Sequence, residues 1–120
     1  MKKLVHLFQS LVGGSDPSLH LSPVDAHEKI KGSKSLQLVD VRSKEEYQGG
    51  RIPGSRLIPV SELGRRMKEL DKTRPILLYC RSGNRSGMAL HMLKDSGYPQ
   101  VTHIRGGIMA WAHEGLPVEI

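Results

Sequence analysis

The chain contains one cysteine, Cys80, followed by a short polar segment that carries two arginines, Arg81 and Arg85. Gly83 lies between the arginines and permits a tight turn or a positive φ angle. A loop that leads into a helix turns several backbone N–H groups toward one point, and the helix dipole adds partial positive charge there. This setting binds anions and favours the thiolate of Cys80 over the thiol. The segment therefore predicts a cysteine nucleophile that reacts near neutral pH.

The alternative interpretation is a buried, inert cysteine followed by a polar turn. Two arginines, a glycine and a helix start within seven residues favour the nucleophile. A single cysteine forms neither an internal disulfide nor a Cys-x-x-Cys pair, so any reaction at Cys80 must finish on a second molecule.

Regular elements on both sides of Cys80 are expected to position it. The apolar run 76–79 predicts a buried strand that ends directly before Cys80, and residues 86–96 predict a helix that stops at Gly97. Ser22 and Ser61 are predicted to cap two further helices. Short strands are predicted at 36–39, 57–58 and 101–104, and helices at 23–31, at 61–70 and at 108–114.

This alternation of strands and helices predicts an α/β fold with a central parallel β-sheet flanked by helices on both faces. In such sheets the ligand site lies at the carboxyl ends of the strands, which is where Cys80 is predicted. The length of 120 residues suffices for one domain, expected at 19–120. Residues 1–18 are predicted to form an amphipathic helix and a linker. The apolar side of 4–12 is expected to pack on the domain or on a second copy, with membrane-surface association as the alternative.

The composition narrows the classes of partner. A net charge of +6 suits a small anionic substrate, and no nucleic-acid partner is expected because the basic residues are scattered and the five aromatic residues are dispersed. The six histidines show no ligand spacing, so we expect no metal and no cofactor. The segment after Lys2 and Lys3 is interrupted by polar residues and makes a poor signal peptide, so we expect a cytoplasmic protein.

Four segments resemble the rhodanese family in their order and spacing. They are residues 39–42 (Val-Asp-Val-Arg), 46–55, 80–86 (Cys-Arg-Ser-Gly-Asn-Arg-Ser) and 106–111 (Gly-Gly-Ile-Met-Ala-Trp). Each segment alone is a weak signal, but four in register are a strong one. The resemblance extends from Ser22 to Pro117 and implies a rhodanese-like α/β domain whose cysteine carries sulfur as a persulfide.

The resemblance also implies a role for individual residues. Cys80 is the sulfur carrier, and Asp40 and Arg42 give structural support at the end of a strand. The chain departs from the family at Arg51, where histidine is common, and at Ser55, where alanine is common. The loop residues are expected to bind the sulfur-donor substrate and the outer sulfur of the Cys80 persulfide. These residues are Arg81, Ser82, Gly83, Asn84, Arg85 and Ser86.

Three functions fit these residues, and sulfur transfer is the one that the sequence favours. The donor would be thiosulfate or a persulfide, and the acceptor a thiol, cyanide or a sulfur-carrier protein. A phosphate- or arsenate-handling enzyme on the same scaffold is the second candidate. Cysteine-based phosphatases place their arginine one residue further along than Arg85, and no carboxylic acid for a leaving group is evident here. The third is a non-catalytic binding module, which is disfavoured because Cys80 and both arginines are present.

Overall fold

The computed structural model describes residues 17–120 of the chain. The amphipathic helix predicted at 4–12 lies outside the described residues, and the predicted boundary at residue 19 stays a prediction. No helix within residues 17–120 is long and apolar enough to cross a membrane.

Residues 17–120 contain one sheet of five parallel strands, which are β1 (His20–Leu21), β2 (Gln37–Asp40), β3 (Arg56–Leu57), β4 (Ile76–Tyr79) and β5 (Val101–Ile104). Their order across the sheet is β1-β5-β4-β2-β3. Strand β4 lies at the centre, and all four of its residues are buried, as the apolar run predicts. Cys80 follows β4 directly and therefore lies at the carboxyl edge of the sheet.

The helices are α1 (Pro23–Gly32), α2 (Lys44–Gly49), α3 (Val60–Arg66), α4 (Asn84–Asp95) and α5 (Gly107–His113), and short 3₁₀ turns occupy Pro17–Leu19 and Met67–Glu69. The helices cover both faces of the sheet, and alternate residues of β4 point to opposite faces. Ile76 and Leu78 belong to a core shared with α3 and α4, whereas Leu77 and Tyr79 belong to a core shared with α1 and α5. The predicted α/β fold with a parallel sheet is confirmed.

Two local predictions need correction. The cap of α3 is Pro59 and not Ser61, because the fixed φ of Pro59 is followed by an extended ψ of 144° and the helix begins at once with Val60. The same helix gives way to a 3₁₀ turn after Arg66, so the predicted helix at 61–70 is shorter. Two further elements, α2 and β1, were not predicted, because they have only six and two residues and carry little periodic signal.

Candidate active site

The sulfur of Cys80 lies inside the loop that joins β4 to α4. Gly83 adopts a φ of 110°, which a residue with a side chain rarely adopts, and its N–H donates to Cys80 Sγ at 3.0 Å. The hydroxyl oxygen of Ser86, in the first turn of α4, is 3.5 Å from the same sulfur. Only 1% of Cys80 is exposed, so the loop polar groups form its immediate surroundings.

These contacts favour the ionised form of the thiol. Burial by itself raises the pKa of Cys80, because a charged group loses solvation. The Ser86 hydroxyl and the N–H groups of Ser86, Gly83 and Ser82 lower it, and their effect is larger, so the pKa lies below its ordinary value. The structure therefore brings together the cysteine and the backbone donors that the sequence predicts.

Helix α5 fixes the loop through two backbone hydrogen bonds. The N–H of Ile108 donates to the carbonyl of Cys80 at 2.9 Å, and the N–H of Met109 donates to the carbonyl of Arg81 at 3.1 Å. Gly107 allows this approach, because a Cβ atom there would collide with both carbonyl groups. The Gly-Gly turn at 106–107 thus holds the main chain of the cysteine loop in place.

The two loop arginines have different surroundings. Arg85 forms two hydrogen bonds to the carboxylate of Glu46, at 2.7 and 2.9 Å. This pair, together with backbone and side-chain contacts to Ser43, lowers the pKa of Glu46 to about 2 although burial opposes the shift. Arg81 is exposed, and its Nε lies 3.2 Å from the sulfur of Met109. Arg81 is therefore the more exposed of the two loop arginines.

Glu46 is a site residue that the sequence analysis missed. It lies in the first turn of α2, where Ser43 Oγ accepts from the N–H of Glu46 at 3.2 Å and the Glu46 carboxylate accepts from the N–H of Ser43 at 3.1 Å. Ser-x-x-Glu is the sequence signature of such a capping box. The signature predicts the helix, but the pairing with Arg85 depends on the fold.

A cavity of about 320 Å³ opens beside Arg85, between the starts of α2 and α3. Its walls combine charged and hydroxyl side chains, which suits a polar ligand more than an apolar one. The lining residues are Val41, Arg42, Ser43, Lys44, Glu45, Pro59, Val60, Ser61, Glu62 and Arg85.

Comparison with known proteins decides the family. Residues 22–114 match the family described as the rhodanese-like domain. The chain belongs to this family. A protein from Allochromatium vinosum named sulfurtransferase is 40% identical over 91 residues, which are 76% of this chain and 85% of that protein. Other relatives are longer, and the matched region covers 64% of the length of one and 25% of the length of another.

Solved structures resemble the same domain. A rhodanese-related protein from Thermoplasma volcanium has 34% identity and a TM-score of 0.76, covering 83% of this chain and 96% of its own. A protein from Rhodopseudomonas palustris has 30% identity and a TM-score of 0.75, covering 83% of each chain, and is described as of unknown function and a possible tyrosine phosphatase. The predicted rhodanese-like resemblance is confirmed.

The Asp-Val-Arg segment of this rhodanese-like domain forms a buried ion pair at the end of β2. Nη2 of Arg42 donates to Asp40 at 2.7 Å and also to the carbonyl of Gly50 at 2.7 Å, while Nε of Arg42 bonds both carboxylate oxygens. Asp40 is fully buried, and Arg42 is 6% exposed. The pair links the strand end to Gly50, the residue that follows α2, and the role of Asp40 and Arg42 as structural support stays a prediction.

Both departures from the rhodanese pattern have structural partners in this chain. Ser55 Oγ donates to the carbonyl of Ile52 at 2.7 Å and lies 2.9 Å from the hydroxyl of Tyr79. The guanidinium of Arg51 lies over the ring of Tyr47 at 4.8 Å and pairs with Glu119 at 3.4 Å. Ser55 therefore contacts the buried Tyr79, whereas Arg51 contacts the half-buried Tyr47 and the exposed Glu119.

Proposed function

We propose that this protein is a sulfurtransferase that carries a sulfane sulfur as a persulfide on Cys80. The observation that carries the proposal is the ring of donors around the sulfur, with the N–H of Gly83 at 3.0 Å. A hydrogen-bond donor fixed at this place stabilises two species. It stabilises the thiolate before the reaction and the negative charge on the persulfide afterwards.

The first half-reaction loads the cysteine. The thiolate of Cys80 attacks the sulfane sulfur of an anionic donor such as thiosulfate, and a bond forms between the two sulfur atoms. The S–S bond of the donor breaks, and sulfite leaves with the electron pair. Arg81, exposed beside the loop, neutralises the donor and the departing sulfite.

The second half-reaction unloads it. A thiol, cyanide or a sulfur-carrier protein attacks the outer sulfur, and Cys80 leaves as the thiolate, which the N–H of Gly83 and the hydroxyl of Ser86 stabilise. The backbone N–H of Ser82 also stabilises this thiolate. Because Glu46 already binds two nitrogens of Arg85, we assign Arg85 to shaping the cradle and Arg81 to neutralising the donor.

A phosphatase is the competing function, since one similar structure is described as a possible tyrosine phosphatase. The loop from Cys80 to Arg85 is one residue shorter than a phosphatase loop, and the side chain of Arg85 is held by Glu46. Both features favour a single sulfur atom over a tetrahedral phosphoryl group in the cradle.

The test is the intact mass of the full chain after incubation with thiosulfate. We expect a gain of one sulfur atom, which is lost on addition of cyanide and never acquired by Cys80→Ser. Arg81→Gln should load more slowly while keeping the same final mass. If the mass of the wild type stays unchanged and the protein readily hydrolyses an aryl phosphate, the proposed sulfur transfer is refuted and the phosphatase function is supported.

A further inference from the structure

The thiol of Cys80 is the first member of a chain of four hydrogen-bonding side chains. Cys80 Sγ is 3.5 Å from Ser86 Oγ, which is 2.7 Å from Nδ1 of His103. Nε2 of His103 is 2.8 Å from Nδ1 of His20. Parallel pairing of β1 with β5 sets His20 opposite His103, so sheet register creates the last link.

The chain runs from the interior toward the edge of the sheet. Ser86 is fully buried, Cys80 and His103 are 1% and 4% exposed, and His20 is half-buried on the edge strand β1. A proton that leaves the Cys80 thiol therefore starts where little water reaches it. The four side chains offer a path of donors and acceptors from that point to the edge strand.

Two arrangements of protons satisfy every link of the chain with both imidazoles neutral. With the thiol protonated, Cys80 donates to Ser86, Ser86 donates to Nδ1 of His103, and Nε2–H of His103 donates to Nδ1 of His20. With the thiolate, each bond is reversed: Nδ1–H of His20 donates to Nε2 of His103, Nδ1–H of His103 donates to Ser86, and Ser86 donates to the sulfur. The two arrangements differ by one proton.

We propose that Ser86, His103 and His20 form a relay for the Cys80 proton, in which Nδ1 of His20 gains a proton from His103 while Nε2 of His20 releases one to solvent. This proposal deepens the proposed sulfur transfer and rests on Cys80 being its nucleophile. In one transfer the S–H bond of Cys80 breaks, one proton shifts along each hydrogen bond of the relay, and Nε2–H of His20 releases a proton to water. No group is oxidised or reduced. Both histidines act on Cys80 through Ser86 and are therefore positioning residues.

The surroundings of His103 keep it neutral, as the relay requires. Burial, together with the charges of His20 from β1 and His91 from α4, lowers the pKa of His103 to about 4. At the other end of the relay, the positive charge of Arg85 from α4 interacts with the Cys80 thiolate. Near neutral pH the imidazole of His103 can therefore change tautomer without becoming cationic.

The decisive measurement is the tautomer of His103 in the full chain, read from the ¹⁵N shifts of its ring as pH is raised. We expect the protonated nitrogen to change from Nε2 to Nδ1, with the same midpoint as the ultraviolet absorbance of the Cys80 thiolate. In Cys80→Ala the change should vanish. A single His103 tautomer throughout the ionisation of Cys80 would overturn the relay, and this outcome leaves sulfur loading from thiosulfate untouched as a separate test.

A pair of variants adds a kinetic reading with iodoacetamide as the probe. His103→Asn keeps a hydrogen-bonding group near Ser86 but cannot pass a proton to His20, whereas His113→Asn removes an exposed imidazole outside the relay. We expect the rate of alkylation at pH 7 to fall about tenfold in His103→Asn, with the midpoint of its pH profile moved upward, and to stay near wild type in His113→Asn. Equal profiles for folded His103→Asn and wild type would contradict the relay.

Discussion

Arg85 and Glu46 join the first turn of α4 to the first turn of α2 through two hydrogen bonds, at 2.7 and 2.9 Å. Because α4 follows Cys80 directly and α2 begins with a capping box at Ser43, the pair fixes the cysteine loop to a second, independently capped element. It also orients the guanidinium of Arg85, which borders the cavity beside the loop. The candidate site is therefore held from two sides, by α2 and by α5.

Glu46→Gln tests the ion pair, because glutamine preserves the capping box and removes the charge. The pKa of Glu46 is about 2 in the folded protein, below its ordinary value of 4.5. Its stabilisation is thus complete above pH 4.5 and disappears as pH falls toward 2. At pH 7 we expect the variant to lose about 1–2 kcal/mol in the free energy of unfolding.

Urea unfolding between pH 7 and pH 2 provides the measurement for Glu46→Gln. The difference between wild type and variant should shrink across the acid range. Glu45→Gln is the matched control, since it removes an exposed acidic group from the same turn of α2. An equal effect of the two substitutions would show that general charge, and not the pair with Arg85, is responsible.

Ser86→Ala should raise the pKa of Cys80, because the variant loses the hydroxyl that lowers it while the sulfur stays buried. We expect alkylation by iodoacetamide at pH 7 to slow by about tenfold. Ser82→Ala is the control, because Ser82 acts on Cys80 through its backbone N–H, which alanine retains. The full pH profile of the alkylation rate separates a shifted midpoint from a uniformly slower reaction, and an unshifted midpoint would refute the role of the hydroxyl.

Gly107→Ala should disturb the cysteine loop by steric collision. Gly107 and Gly115 both have positive φ angles, 64° and 73°, but a Cβ at Gly107 would strike the carbonyls of Cys80 and Arg81 while one at Gly115 meets open space. Gly115→Ala should cost about 1–2 kcal/mol of backbone strain, and Gly107→Ala at least about 3 kcal/mol. Thermal melts give the comparison, and sulfur uptake should decline in Gly107→Ala alone. Similar losses for both variants would mean that the collision is relieved by small shifts.

His103 should make the protein less stable in mild acid. Its pKa is about 4 when folded and near the ordinary 6.5 when unfolded, so the unfolded chain binds the proton first as pH falls. Between pH 6.5 and pH 4 this linkage should remove about 3 kcal/mol, a loss that His103→Asn would not show. Denaturant midpoints at several pH values would reveal it, with His113→Asn as an exposed-histidine control. Parallel curves for wild type and His103→Asn would contradict the assignment.

The sequence by itself determined the α/β class, the central strand and the place of Cys80. These features are local: an apolar run long enough for one strand, a glycine in the loop, and a helix that ends shortly before Gly97. The predicted strand at 76–79 agrees with β4, and the predicted strand at 101–104 agrees with β5. The four motif segments also predicted the family, because their residues and their order along the chain can be read from the sequence.

Only the tertiary structure decided which side chains meet the cysteine loop. Glu46 and Arg85 are 39 residues apart, and His20 and His103 are 83 residues apart. Strand β1 has only two residues and is defined by its pairing with β5. A segment this short has no periodic pattern from which the strand could be predicted. Strand order and register set these contacts, and both depend on the packing of the whole sheet, which local residue patterns do not encode.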